Sequence, residues 1–342
     1  MCGISRKVVI GITIGDPGGA GPELALKALQ KCDYAIAKYI LIGSYKVLLK
    51  AQEITGAKNL ELYKISDLSK APEEPYKVGV YDIDNVDLNQ LVYGKPSHIG
   101  GKASYEYIVK AVEFAMKGLI DAVVTMPISK ESLNMAGYKY PGHTELLAEL
   151  TGTKDVRMML VAKHLRVVHV TTHVALRKVP DLITKERVLK TIELTHEYLR
   201  EYFNISDPKI AIAGLNPHAG ESGLFGDEEI REITPAIEDA KRKGINALGP
   251  FPPDTVFYRA YYNREFDAVI AMYHDQGHIP LKMIGFMEGV NITLGLPIIR
   301  TSPDHGTVWG KAGKGTADET ASLEAIKLAV QLAYNKIRKK YF

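Results

Sequence analysis

Short runs of aliphatic and β-branched residues recur along the chain, each broken by glycine, proline or a polar turn, with apolar positions at helical spacing between them. Residues 8–14, 40–42, 78–81 and 122–125 read as strands of this kind, and residues 167–170, 210–213 and 268–272 as three more. Continuous apolar runs suit strands covered by helices on both faces. Ile108, Val112 and Ala115 mark one helix, and Val188, Ile192, Leu199 and Phe203 another. Ile230, Ile233, Ile237 and Ala240 mark a third, and Leu323, Ile326, Val330, Ala333 and Ile337 a C-terminal helix that closes the fold. Alternating strands and helices predict an α/β chain on parallel sheets.

Three of the runs lead through a polar turn to a histidine: His173, His218 and His274. If the three strands are neighbours, the histidines gather at the carboxyl edge of a sheet, where open α/β sheets bind ligands. Three imidazoles there can hold one divalent cation and leave a position open for substrate. Each alone reads as a structural histidine, and the long gaps between them carry no information. The inference rests on the repeated context. Asp275 and Asp254 are candidate partners to orient the rings. Residues 249–255 read as a rigid turn that delivers Asp254 ahead of a helix.

The chain has 342 residues, more than one core usually holds, so two domains are expected. A net charge of +3 with both signs interspersed does not suggest a nucleic acid or a membrane surface as partner. Cys2 and Cys32 form neither a disulfide framework nor a thiolate metal site, which fits a reducing cytoplasm. The apolar run near the N-terminus is too short for a signal core or a membrane span. Gly15-Asp16-Pro17-Gly18-Gly19-Ala20-Gly21-Pro22 joins a strand to a helix and serves equally as a tight turn or a ligand contact. Taken alone, His143 reads as a solvated loop residue and Thr144 as a helix N-cap. Lys282, Asn291 and Arg300 flank an apolar run and suit an anionic substrate, Arg as a fork and Lys as a point charge.

With these motifs the chain resembles the 4-hydroxythreonine-4-phosphate dehydrogenase (PdxA) family over nearly its whole length. The glycine-rich turn, Pro141-Gly142-His143-Thr144-Glu145, Thr171-Thr172-His173, Gly214-Leu215-Asn216-Pro217-His218 and Tyr273-His274-Asp275-Gln276-Gly277 carry the resemblance. Gly289-Val290-Asn291, Arg300-Thr301-Ser302 and Asp304-His305-Gly306-Thr307 extend it. It implies two α/β/α domains around a cleft, similar to isocitrate and isopropylmalate dehydrogenases. The first would comprise residues 1–130 and 300–342 on the cofactor side, and the second residues 131–299 with the metal histidines.

The resemblance further implies metal ligands at His173, His218 and His274, and substrate contacts at His143, Thr144, Lys282, Asn291 and Arg300. Cofactor contacts would fall on His305, Gly306, Thr307, Gly313 and Gly315. NAD is the expected cofactor, with NADP as an alternative, and zinc the expected cation ahead of Mg, Mn or Co. Lys282, Asp254 and His143 are candidates for the general base. A homodimer with an active site shared between subunits is implied as well. The expected reaction is oxidation, with decarboxylation, of a 4-phosphorylated 3-hydroxy acid, first of all 4-phosphohydroxy-L-threonine of pyridoxal phosphate biosynthesis. His278-Ile279-Pro280 after Gly277, and Val174-Ala175-Leu176-Arg177 after His173, resemble instead the branch acting on D-threonate or D-erythronate 4-phosphate. Val308-Trp309-Gly310 departs from the family's cofactor loop. A phosphate acyltransferase of similar architecture and a non-catalytic protein with a structural zinc are the competing readings.

Overall fold

The computed structural model describes residues 6–341, so Cys2 lies outside the described residues. Among these residues the strands are β1 (Val8–Thr13), β2 (Ala37–Gly43), β3 (Glu61–Ile65), β4 (Lys77–Asp82), β5 (Ala122–Thr125), β6 (Arg157–Ala162), β7 (Leu165–His169), β8 (Ile210–Ala213), β9 (Ala247–Phe251), β10 (Ala268–Ala271), β11 (Val290–Leu294) and β12 (Arg300–Pro303). The chain packs as two compact units. One runs to Asp155 and resumes at Leu296, and the other is Val156–Gly295. Residues 131–155 thus belong to the first unit, whereas the expectation placed them in the second.

In the first unit the strand order is β3-β4-β2-β1-β5-β12, and every pairing is parallel. Ile12 of β1 sits between Leu41 of β2 and Val124 of β5, all three fully buried. Such strands are apolar throughout because helices cover both faces. The helix Gly21–Leu29 starts where the glycine-rich turn ends, with Pro22 in its first turn, where a missing N–H costs nothing. His98–Met116 is capped by Ser97, whose Oγ accepts from Gly100 N at 3.0 Å. The last helix, Thr320–Tyr341, returns to the sheet, and Thr301 Oγ1 of β12 donates to its Ala325 carbonyl at 2.8 Å. No helix among the described residues is long and apolar enough to cross a membrane.

In the second unit the order is β11-β6-β7-β10-β8-β9. β6 runs antiparallel to β11 and β7, and the other pairings are parallel. Its core joins Leu160, Val167, Ala211, Val256, Val269 and Leu281. Gly249, Pro250 and Phe251 belong to β9 and not to a turn, and Asp254 sits inside the helix Pro253–Tyr261. Proline is tolerated there because β9 is an edge strand.

The helices His98–Met116 and Lys130–Met135 meet at Gly101, where an added methyl group would overlap the Ser132 carbonyl. Gly101→Ala is therefore expected to destabilise the protein by roughly 1–3 kcal/mol. Urea unfolding checks this, and an unchanged midpoint would refute the close approach.

Candidate active site

β10 pairs in parallel with β7 on one side and with β8 on the other, so the three histidine-tipped strands are neighbours that end at the same edge. Pairing continues past the strand ends. Val170 N donates to Ala271 O at 2.9 Å, Thr171 N to Met272 O at 3.1 Å, and Thr171 Oγ1 to the same carbonyl at 2.7 Å. His173 and His274 follow directly, with ring centroids 5.8 Å apart.

Gln276 ties the neighbouring loop into this edge. Its Oε1 accepts from Met272 N at 2.7 Å, and its Nε2 donates to Gly214 O, just past β8, at 2.8 Å. Buried Glu229 holds the next stretch: Oε1 accepts from Leu215 N and Asn216 N at 2.7 and 2.8 Å, and Oε2 accepts from Asn216 Nδ2 at 2.9 Å. The chain then enters a left-handed turn, with φ of 53° at His218, 55° at Ala219, 43° at Glu221 and 57° at Ser222. Left-handed non-glycine backbone persists where its surroundings over-determine it.

The helix His274–Gly285 opens with His274 itself. Asp275 Oδ1 lies 2.7 Å from His274 Nδ1, the orienting contact expected from the sequence, and leaves Nε2 as the nitrogen for a ligand. The His274 ring stacks on His278, with centroids 3.6 Å apart and planes 12° from parallel. His278 Nδ1 in turn lies 3.1 Å from Nε2 of buried His169 on β7. Burial first, and then the neighbouring His278 and His274 rings, push the His169 pKa down to about 3.

Among the described residues no three His, Cys, Asp or Glu side chains converge closely enough to hold a metal ion. The structure brings His173 and His274 together and places His218 after the adjacent strand. As chemistry the set fits: three imidazoles, one already oriented by a carboxylate, suit zinc with an open position. As geometry, among the described residues the three rings do not gather around one point.

In the first unit, Arg300 begins β12 and is fully buried, with Nε and Nη2 directed at Thr125 Oγ1 at 3.1 and 2.7 Å. Burial lowers its pKa to about 9, which still leaves it cationic at neutral pH. His143 opens the helix His143–Thr151, and the cap position is Gly142, so Thr144 is a first-turn residue and not the N-cap. The residue as a whole is half-buried, but its Nε2 is sealed from solvent with no hydrogen-bond partner. Burial, and then the charge of Arg300, hold its pKa well below the usual 6.5. That corrects the solvated reading of this residue.

Thr307 is buried, and its carbonyl accepts from Ala20 N at 3.0 Å. His305 Nδ1 is 2.9 Å from Gly306 O. Gly313 and Gly315 have φ of 75° and 68°, and their N–H groups are both taken by the carboxylate of Glu23, at 2.5 and 2.6 Å. The two glycines are shaped from within the protein, so their amides are not open donors for a phosphate. The turn at residues 15–22 is also tied internally, Asp16 N to Pro127 O at 3.0 Å and Gly18 N to Asp16 Oδ1 at 2.9 Å, which favours the tight-turn reading.

Back in the second unit, Asn291 sits on β11 opposite Leu160, with Oδ1 buried and unpartnered. Lys282 lies on the His274 helix, its Nζ 5.3 Å from the centre of the Phe286 ring. Asp254 lines a groove of about 560 Å³ with Asp275, Gln276, Tyr258, Ile279 and Met283. Sequence reasoning passed over Gln276, Glu229, His169 and Glu23. For His169 a signal existed, since a histidine closes a strand directly after Val167 and Val168. The other three reach groups farther along the chain, Gly214 from Gln276, Leu215 and Asn216 from Glu229, and Gly313 and Gly315 from Glu23, which no local pattern reveals.

Taken together, these features define an α/β enzyme with a histidine-bearing strand edge and a buried arginine. The model of the family described as pyridoxal phosphate biosynthetic protein PdxA matches residues 35–329, and the chain belongs to that family. It is 46% identical over 324 residues to D-threonate 4-phosphate dehydrogenase of Salmonella typhimurium, covering 95% of this chain and 98% of that one. To 4-hydroxythreonine-4-phosphate dehydrogenase of Desulforapulum autotrophicum it is 45% identical over 325 residues, 95% of each chain. The crystal structure of 4-hydroxythreonine-4-phosphate dehydrogenase from Klebsiella pneumoniae matches with a TM-score of 0.88 at 41% identity, over 97% of this chain and 100% of that one. With relatives this close named as dehydrogenases, the protein is an oxidoreductase.

Replacing Gln276 by Leu strands the Met272 N–H and the Gly214 carbonyl. The expected loss is roughly 2–4 kcal/mol in chemical denaturation, from two buried groups left unpaired. His169 has its folded pKa depressed from 6.5 to about 3, so the unfolded chain takes up its proton first as pH falls. Stability from this group is complete above about pH 6.5 and declines below it, by about 1.4 kcal/mol per pH unit while only the unfolded state is protonated. Melting curves across this window should therefore be steeper in pH for wild type than for His169→Phe, and equal slopes would contradict the assignment.

Proposed function

We propose that this protein catalyses NAD-dependent oxidation, with decarboxylation, of a 4-phosphorylated 3-hydroxy acid, and that D-threonate 4-phosphate is preferred to 4-phosphohydroxy-L-threonine. The observation that carries the reaction type is the parallel β7-β10-β8 edge, which sets His173, His274 and His218 after the ends of adjacent strands. The substrate preference is supported by the close match to D-threonate 4-phosphate dehydrogenase and by His278 following the metal-site motif.

In the proposed reaction the secondary alcohol loses a hydride to NAD and a proton to a base. The resulting β-keto acid loses CO2 and takes up a proton at the adjacent carbon. A divalent cation, zinc ahead of Mg, Mn or Co, when bound supplies charge to polarise the alcohol oxygen and to stabilise the enolate left by decarboxylation. His173, His218 and His274 are its proposed ligands, with Asp275 orienting His274. Arg300 is a proposed contact for an anionic substrate group, since an anion offsets the cost of burying a guanidinium. His143, Thr144, Lys282 and Asn291 are further proposed contacts. The buried, unpartnered His143 Nε2 and Asn291 Oδ1 support two of them. Lys282 and Asp254 are the base candidates in the second unit, with His143 in the first. The cofactor is assigned to the His305, Gly306 and Thr307 stretch, while Gly313 and Gly315 shape the neighbouring turn through Glu23.

A homodimer belongs to the same proposal. Tyr258, Tyr262, Ile279, Met283 and Phe286, on and beside the helices that carry Asp254 and His274, are 60–83% exposed, and a second copy is proposed to cover them. The free Cys32 thiol accords with a cytoplasmic setting.

NADH formation by the metal-loaded protein should be faster with D-threonate 4-phosphate than with 4-phosphohydroxy-L-threonine, and Arg300→Met should raise KM at least tenfold, as loss of a charge-assisted contact predicts. Turnover of neither substrate would sink the dehydrogenase assignment. Preference for the amino acid would place the enzyme with the other group of relatives.

A further inference from the structure

Behind His274 lies a pair of imidazoles that the reaction does not use. His169 is 1% exposed on β7 and His278 is 7% exposed in the first turns of the helix His274–Gly285. His278 lies face to face with His274, at 3.6 Å between centroids and 12° between planes. Its Nδ1 has two neighbours, the His274 carbonyl at 3.0 Å and His169 Nε2 at 3.1 Å. A carbonyl only accepts, so His278 carries its proton on Nδ1, and His169 Nε2 must then offer a lone pair. Both rings are thereby assigned to the Nδ1–H tautomer. The fit is made possible by Gly277, because any side chain there would strike His169 Nε2.

This arrangement holds one face of the His274 ring, while Asp275 holds its Nδ1 edge at 2.7 Å. We propose that His278, anchored by His169, is a positioning residue for His274, setting the plane in which its Nε2 meets a divalent cation. The inference rests on the reading of His274 as a metal ligand. A ring able to rotate about χ2 would present its nitrogen over a range of directions. Stacking removes that freedom before any cation arrives, and partners of this kind typically carry 10–100-fold in metal affinity.

The test uses the purified full-length protein, freed of metal and titrated with Co2+, whose visible absorption reports both affinity and geometry. Wild type, His278→Leu, His278→Phe and His274→Ala are compared, with the melting temperature of each metal-free protein measured alongside. The expected order of Co2+ affinity is wild type, then His278→Phe, which keeps a ring to stack, then His278→Leu, weaker than wild type by about 10–100-fold. Metal-free melting temperatures should not reproduce that order. Long-range 15N–1H correlation spectra of the metal-free wild type should show both His169 and His278 protonated on Nδ1. Wild-type affinity and spectrum in His278→Leu would overturn the proposal and leave the metal reading standing, as would affinities that simply follow the melting temperatures. Wild type that binds no Co2+, or His274→Ala that binds as wild type does, would overturn the metal reading and this inference with it.

Discussion

Parallel pairing of β10 with both β7 and β8 is the constraint on which the candidate site depends. Parallel strands deliver their carboxyl ends to one edge, so whatever residue type follows each strand is brought beside its counterparts. Here that residue is histidine three times, each at the end of a short polar turn. The strands need only be apolar enough to be buried on both faces, and Val269, Ile270 and Ala271 are fully so. A register slip in β10 would take His274 away from His173 and reverse the faces of its side chains.

Edge geometry alone does not set side-chain direction. That task falls to a small number of buried polar groups whose hydrogen bonds cross between elements. Gln276 spans from the end of β10 to the loop after β8, and Glu229 gathers three N–H groups of the loop that leads to His218. In the first unit Glu23 does the same for the turn holding Gly313 and Gly315. Each of these groups would be costly if unpaired in the interior, so each is either satisfied in one arrangement or strongly disfavours the alternative. Scaffolding of this kind rigidifies loops that carry few apolar contacts of their own.

Much of the fold was legible from pattern. The runs at residues 122–125 and 210–213 coincide with β5 and β8, and five further runs match strands to within a few residues. β3 escaped notice because it is a half-exposed edge strand with little apolar alternation, and β9 because its Gly-Pro pair reads as a turn. Thr144 has the residue type of a cap, but cap propensity is local, and the cap position falls two residues earlier, at Gly142. His143 itself looked solvated. Its Nε2 is sealed from solvent, and the charge that helps to hold its pKa down comes from Arg300, more than a hundred residues along the chain.

What the sequence determined by itself was the alternation of strands and helices, the identity of the residues after each strand, and membership of the PdxA family. These depend on local periodicity and on residue type, which a linear chain displays directly. Only the tertiary structure decided that β10 lies between β7 and β8, that residues 131–155 pack with the first unit, and that His169 and His278 back His274. The physical reason is the same in each case. Strand order, burial and hydrogen bonds between remote groups arise from packing many segments at once, and no single segment carries their energy.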